Sequence, residues 1–300
     1  MDTEKQVITT YGSQIKCTHP CDNIQHISPC THEEADKRML LHTSHAVQCG
    51  CKKILLRTVD TDVLELAVVS IPKLNQLVDN SVEIWISFGT AKNHRYIPAH
   101  GISNSLSPEV VLGLPAFTGC HTVSSFFGKG KKTALNTWNT FPDVSNAFVT
   151  LSSHTPVVDS KLMEYVERFV VFMYDRASPH STVDGARKQL FVQNGRQFDN
   201  IPPTRAALVE HVKRTAYQAG YVWGQTLISC LSLRSPQDWS WLLDSKQWIP
   251  LWTTLPEVMQ SCQELISCRC VKGCRGRCSC SRNDLRCSDL CRCPAACNNR

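Results

Sequence analysis

Residues 53–70 read KILLRTVDTDVLELAVVS and carry the clearest fold signal of the chain. The run Lys53–Thr58 is short, apolar and bounded, which is typical of a buried strand. Helical periodicity follows over Val63–Ser70, and the alternating run Ser81–Phe88 predicts a second strand. A strand, a helix and a strand at this spacing predict a βαβ unit. We therefore expect an α/β fold with a parallel sheet.

The flanking segments have their own patterns. Thr31 followed by Glu34 matches a capping box and predicts a helix to about Cys49, ended by Gly50. Composition divides the chain into an N-terminal segment with a candidate edge strand (1–30), an α/β region (31–150), a helical extension (151–230), a Trp-rich irregular segment (231–267) and a cysteine-rich module (268–300). Further helices are expected at Ser107–Phe117, Lys132–Asn139, Ser160–Tyr174, Val183–Gln193 and Thr204–Gln218.

The formal charge is concentrated at the C-terminal end. The 300 residues have a net charge of +6, from 32 Lys and Arg against 26 Asp and Glu. Residues 268–300 alone contain eight basic residues, two acidic residues and nine of the 17 cysteines. No apolar run approaches the roughly 18 residues of a membrane span. The first residues also lack a signal-peptide pattern, so we expect an intracellular protein with reduced cysteines.

The cysteines of residues 268–300 predict a zinc cluster. Structural zinc takes four ligands, and nine thiolates satisfy three ions if three of the thiolates bridge two ions each. A segment this poor in large apolar residues would take its folding energy from the metal. Disulfide pairing is an alternative, although nine is an odd number, and so is a zinc-stabilised tail without a partner. The predicted ligands are Cys268, Cys270, Cys274, Cys278, Cys280, Cys287, Cys291, Cys293 and Cys297.

The repeated C-x-C pairs resemble the tesmin-type CXC domain, a zinc-binding module that binds DNA in several nuclear proteins. Two gaps differ by one residue from the usual spacing, and Arg277 stands where that family has a base-contacting tyrosine. The resemblance implies a nuclear DNA-binding protein. Because basic side chains bind phosphates, we expect affinity more than sequence specificity. The expected nucleic-acid contacts in this module are Lys272, Arg275, Arg277 and Arg282.

Four carboxylates form two spaced pairs in the α/β region. Glu34 and Asp36 lie at a predicted helix start, and Asp60 and Asp62 follow the first predicted strand. Sites in parallel α/β folds form at the carboxyl ends of strands. Acidic groups that converge there repel one another unless a divalent cation such as Mg²⁺ or Mn²⁺ lies among them, and such sites hydrolyse phosphodiesters. The alternative is a solvated first helical turn favoured by the helix dipole.

The order of these motifs resembles the flap-endonuclease branch of the PIN-like nucleases. That family has Glu-x-Glu, Asp-x-Asp and Gly-x-Asp as metal ligands. The matching catalytic positions are Glu34, Asp36, Asp60 and Asp62, with His121 in place of the last aspartate. The family's sheet begins with an earlier strand, for which the residues before the first helix leave no room, so we expect an N-terminally incomplete domain. The combination with a CXC module resembles transposon-derived animal proteins.

Other motifs have more than one interpretation. Lys129 and Lys131, in the basic stretch GKGKK, could bind backbone phosphates or belong to a solvated loop. Cys120 beside His121 resembles a nucleophile–base pair, but adjacent residues seldom face each other. Cys49 and Cys51 are expected to be ordinary thiols. Three cysteines and two histidines near the N-terminus offer ligands for a further zinc: Cys17, Cys21, Cys30, His19 and His26.

Together these patterns predict a zinc-dependent DNA-binding protein with a degenerate or incomplete nuclease-like domain. One alternative is a structure-specific endonuclease that depends on a divalent metal. Another is a non-enzymatic factor that docks on other proteins through its Trp-rich segment.

Overall fold

The computed structural model describes residues 5–78, 81–105, 108–192, 200–255, 267–276, 278–282, 285–289, 291–294 and 296–299. The chain divides into two compact units, Met1–Thr253 and Thr254–Arg300. None of the helices in this described part is long and apolar enough to span a bilayer.

The first unit begins with a hairpin of β1 (Ile8–Tyr11) and β2 (Gln14–Cys17), which pair antiparallel. The N-terminal segment therefore contains a strand, and its two strands form a sheet of their own. Helix α1 (Ala35–Gln48) follows. It begins later than the capping box predicts, because Thr31 instead bonds a distant segment: its N–H donates to Ser229 O and its Oγ1 accepts from the Leu231 N–H, both at 2.9 Å.

The main sheet has three strands in the order β3, β4, β5. Strands β3 (Lys53–Thr58) and β4 (Glu83–Phe88) run parallel on either side of α2 (Thr61–Asn75), which confirms the predicted βαβ unit. Strand β5 (Arg95–Pro98) pairs antiparallel with β4, so the sheet is mixed and the prediction of a wholly parallel sheet is wrong. The reason is the short connection from β4 to β5, since only an antiparallel neighbour can be reached without a long crossover.

The helices that follow build a second apolar core beside the sheet. They are α3 (Ala99–Ser103), α4 (Pro108–Thr118), α5 (Lys131–Thr140), α6 (Ser145–Leu151), α7 (Ser160–Tyr174), α8 (Val183–Val192) and α9 (Arg205–Ala216), and a π-helical turn, Tyr217–Val222, continues α9. Helix α4 serves both cores: Leu112 packs with α2 and the sheet, while Phe117 packs edge-on against Phe148 and Phe169. Five of these helices, α4, α5, α7, α8 and α9, match the predicted ones to within two residues at each described end, whereas α3 and α6 were not predicted.

The Trp-rich segment contains regular structure that the sequence does not predict. Strands β6 (Trp241–Asp244) and β7 (Gln247–Pro250) form an antiparallel hairpin, so the description of this segment as irregular is wrong here. The turn residues Ser245 and Lys246 both adopt positive φ angles, 47° and 70°, as tight hairpin turns require.

The second unit has little regular structure. Its one described helix is the short α10 (Ser279–Arg282). Its core is made of cysteine side chains, with Leu285 packed against them. A unit with this composition lacks the apolar area that stabilises an ordinary domain.

Candidate functional site

The nine predicted cysteines of the second unit come together in space. Three sets of four have all their sulfur atoms within 4.8 Å of one another, and each set could hold a metal ion. The sets are Cys268, Cys270, Cys274 and Cys278; Cys268, Cys274, Cys287 and Cys293; and Cys268, Cys280, Cys287 and Cys291.

Three cysteines are shared between these sets. Cys268 belongs to all three sets, and Cys274 and Cys287 belong to two each. Their sulfur atoms form a triangle with edges of 3.4 Å (Cys268–Cys274), 3.5 Å (Cys274–Cys287) and 3.8 Å (Cys268–Cys287). The shared sulfurs therefore lie at the middle of the cluster, with the other cysteines around them.

The separations suit zinc. Zn–S bonds of about 2.3 Å in a tetrahedron place neighbouring sulfurs about 3.8 Å apart. The Cys280 and Cys291 sulfurs, at 3.5 Å, fall close to this value, as does the central triangle. All of these distances are far beyond the roughly 2.05 Å of a disulfide bond. The cluster is therefore an arrangement of thiols that could hold zinc.

Backbone amides point at several of the sulfurs. The Cys268 N–H donates to the Cys291 sulfur and the Cys274 N–H to the Cys297 sulfur, both at 3.3 Å. The amide hydrogen bond from Cys268 is the main reason why the pKa of Cys291 falls to about 6. Burial, in contrast, raises the pKa of the central Cys274 thiol far above its usual range, and neighbouring thiols raise it further. Without a cation, the buried Cys274 thiol therefore resists the loss of its proton. A bound cation would remove this resistance, because it stabilises the thiolate form.

Exposed basic residues alternate with the cysteines along this segment. Lys272, Arg275 and Arg282, three of the four predicted nucleic-acid contacts, are exposed, and Arg277 lies outside the described residues. Arg269, Arg286 and Arg292 are exposed as well.

The predicted acidic residues of the first unit come together around Asp36, in the first turn of α1. Burial raises the pKa of Asp36, and the negative charges of Asp60, Glu34 and Asp62 raise it further, while His121 lowers it. Asp60 precedes α2 and accepts a hydrogen bond from the Asp62 N–H at 2.9 Å, so the end of β3 and the start of α2 fix both side chains.

Lys131 supplies a positive charge beside these carboxylates. Its Nζ donates to Asp62 Oδ1 and Glu65 Oε1, each at 2.9 Å, and to Thr61 Oγ1 at the same distance. Lys131 was predicted to contact phosphate, and here it pairs with carboxylates instead. Within the described residues, the sets of three or more potential ligand atoms within 4.8 Å of one another contain cysteine only, and no carboxylate belongs to one.

Glu65 is a member of this site that the motifs did not indicate. Burial raises its pKa to about 7, against the opposing effect of the Lys131 ammonium group. Its place on α2, three residues after Asp62, puts the two carboxylates on one helical face. This spacing was the signal that could have identified it.

Glu34 and the remaining candidates also make contacts outside this acidic group. Glu34 pairs with Lys37, one turn further along α1, at 3.2 Å. The Lys129 ammonium lies over the Tyr174 ring, 5.2 Å from its centroid. The Cys120 sulfur contacts Thr122 Oγ1 at 3.6 Å, and burial raises the pKa of this thiol, which opposes a role as a nucleophile.

Comparisons of the chain with protein-family models, with curated proteins and with solved structures find no match.

Proposed function

We propose that the second unit is a three-zinc module that binds DNA. The observation that carries the proposal is the triangle of shared sulfurs at the centre of the nine cysteines. Cys268, Cys274 and Cys287 would each bridge two ions, which gives six bonds, and the six other cysteines would bind one ion each. Together these make the twelve bonds that three tetrahedral ions need.

The three sets of neighbouring cysteines support a proposed set of ligands for each ion. Cys297 is placed beside Cys274 and Cys293 by its hydrogen bonds, so it completes the second set once Cys268 is kept for the other two ions. The proposed ligands are Cys268, Cys270, Cys274 and Cys278 for the first ion, Cys274, Cys287, Cys293 and Cys297 for the second, and Cys268, Cys280, Cys287 and Cys291 for the third. This assignment uses every cysteine of residues 268–300.

The charge of the loaded cysteine-rich segment, residues 268–300, favours nucleic acid as its partner. Nine thiolates and three zinc ions together contribute about −3, so the eight basic and two acidic residues of this segment leave a net charge of about +3. The exposed Arg and Lys side chains are then held on a compact scaffold rather than on a flexible arm. Contacts of this kind go to phosphates, which supports binding that depends on salt more than on base sequence.

The experiment measures the binding of duplex DNA by the full zinc-loaded chain, with fluorescence anisotropy as the readout, across a series of salt concentrations. The double variant Lys272→Ala/Arg275→Ala should bind more weakly and should lower the salt slope by about two. The matched control is Lys92→Ala/Arg176→Ala, which removes two exposed charges from the first unit and should leave binding unchanged. Equal affinity of the two double variants would contradict the proposal.

The acidic site fits a degenerate nuclease-like function better than an active one. Lys131 neutralises Asp62 and Glu65 where an active site would present carboxylates to a divalent cation. The endonuclease alternative keeps one observation in its favour, the convergence of Glu34, Asp60 and Asp62 on Asp36. Cleavage of the same DNA in the presence of Mn²⁺, abolished by Asp36→Asn, would support that alternative. A nuclear location stays a prediction.

A further inference from the structure

A second group of metal-binding side chains lies in the first unit, far along the sequence from the cysteine-rich module. It joins the N-terminal hairpin to α1. Cys17 ends β2, Cys21 lies in the segment after it, and His45 and Cys49 lie at the C-terminal end of α1. Chain folding brings these two pairs of residues together across more than 20 positions of sequence.

The four side chains form a chain of contacts in the order Cys17, Cys21, His45 and Cys49. His45 Nε2 lies 3.5 Å from the Cys21 sulfur and 3.7 Å from the Cys49 sulfur. The Cys17 and Cys21 thiols are hydrogen-bonded to each other, and Cys49 is close enough to act electrostatically on Cys21. His45 thus lies between the Cys21 and Cys49 sulfurs, and the Cys17 sulfur joins this group through its hydrogen bond with Cys21.

The two sulfur–nitrogen separations suit a zinc ion, but no three of the four ligand atoms lie within 4.8 Å of one another, so binding would need a rotation of the thiol side chains. Zn–S bonds of about 2.3 Å and a Zn–N bond of about 2.0 Å, at a tetrahedral angle, place sulfur and nitrogen about 3.5 Å apart. Both sulfur–nitrogen distances agree with this value to about 0.2 Å. We propose that Cys17, Cys21, His45 and Cys49 bind a structural zinc ion.

The sequence spacing supports the same ligand set. Cys17 and Cys21 are separated by three residues, and so are His45 and Cys49. Paired ligands at this spacing, the second pair on a helix, are typical of structural zinc sites with three cysteines and one histidine. On a helix, positions i and i+4 lie on one face, so α1 presents His45 and Cys49 in the same direction. The contacts replace Cys30, His19 and His26 of the sequence-based expectation by His45 and Cys49.

The surroundings hold both ligand pairs in place. His45 is buried, with 3% of its surface exposed, while Cys17 and Cys21 are half-buried and Cys49 is exposed, so an ion can reach the sulfurs. Arg38 donates to the main-chain oxygen of Gly12 at 2.8 Å and ties the hairpin to the helix. His45 Nε2 also lies 2.9 Å from Asp22 O. Coordination would exchange this hydrogen bond for a bond to the metal.

The role of the ion follows from the size of the hairpin. Its apolar contact with α1 is limited to a small cluster centred on Ile27, Cys30 and Leu41. A two-stranded hairpin with so small a core is marginal in water, and a metal crosslink is a common means of holding such a piece. The zinc ion would fasten the hairpin to the C-terminal half of α1, whose first turn carries Asp36.

The test is the zinc content of the full chain, purified under reducing conditions and measured by plasma mass spectrometry. Cys21→Ser should lose one zinc per chain relative to the wild type. Cys51→Ser is the matched control, because this thiol lies two residues from Cys49 and outside the proposed set, and it should lose none. A wild-type zinc content in Cys21→Ser, or an equal loss in Cys51→Ser, would overturn the proposal. The comparison is a difference between variants, so it does not depend on the number of ions in the cysteine-rich module.

Ligand exchange separates binding from a merely structural role of the side chains. Cys49→His and His45→Cys each keep four ligands, so both should retain the wild-type number of ions. After cobalt substitution, each should shift the visible absorption bands, because the number of bound thiolates changes. If both variants retained the wild-type number of ions and the cobalt bands were unchanged, residues 45 and 49 would not be ligands and the site would be rejected.

Discussion

At the scale of single residues, the charge of Glu65 gives a prediction about pH. Its pKa in the folded chain is raised to about 7 by burial, above its value in an unfolded chain. Between about pH 4.5 and pH 7 the folded state therefore binds a proton that the unfolded state has lost, and the free energy of unfolding falls as the pH rises through this window. Glu65→Gln removes this titration.

Between pH 5 and pH 7.5, we expect the free energy of unfolding to fall by roughly 2–3 kcal/mol less in Glu65→Gln than in the wild type. Urea unfolding at the two pH values measures it. The matched control is Glu164→Gln, an exposed carboxylate on α7. An identical pH dependence in the wild type and Glu65→Gln would show that the carboxyl group is not buried in this way.

The position of a single residue could be predicted where it belongs to a local motif. Its role could not be predicted where tertiary contacts determine that role. Asp60 and Asp62 follow a strand and precede a helix, so their place could be predicted from local pattern. The role of Lys131 could not, because its partners Asp62 and Glu65 are almost 70 residues away. The basic loop pattern gives the charge of this side chain but not the groups that it meets.

At the scale of secondary-structure elements, the crossing of α4 and α6 depends on Gly113. A Cβ atom at this position would lie 2.6 Å from the main-chain oxygen of Phe148, which has no flexible end that could move away. Gly113→Ala should therefore lower the free energy of unfolding by about 1–3 kcal/mol, although alanine is the better helix former by about 1 kcal/mol.

The control for this helix crossing is Gly101→Ala in α3. A Cβ atom there meets only the Pro98 side chain, at 3.8 Å, which is ordinary van der Waals contact. Gly101→Ala should be neutral or slightly stabilising. Thermal or urea unfolding compares the two variants, and a neutral Gly113→Ala would contradict the close approach of α4 and α6.

Elements with strong periodicity were predictable, and those that depend on turn geometry were not. Helix α7 was predicted with its observed ends, since an Asp–Ser start and a long apolar face mark it. The β6–β7 hairpin was missed because Ser245 and Lys246 occupy positive-φ positions that usually carry Asn or Gly. Strand β5 was missed for a related reason, since four residues give too short a pattern.

At the scale of the whole molecule, the two units have cores of different chemical composition. The first unit has two apolar cores of ordinary composition, and sequence patterns predicted most of its helices. The second unit has cysteine in place of such a core, and only the spacing of its cysteines indicated its arrangement. The pairing of Cys21 with His45 was beyond prediction, because it arises from the packing of the hairpin on α1 and not from a local pattern.

This difference predicts how the full chain responds to removal of metal. A strong chelator should expose the cysteines of residues 268–300 to alkylation, since metal binding supplies the folding energy of a unit without an apolar core. The far-UV circular dichroism should hardly change, because every described helix longer than one turn lies in the first unit. Cys30, buried beside Ile27 and Leu41, should react more slowly than the module cysteines in the same chelated sample. Mass spectrometry of alkylated peptides with and without chelator measures these rates. Equal rates for the module cysteines in both samples would show that its fold does not depend on metal.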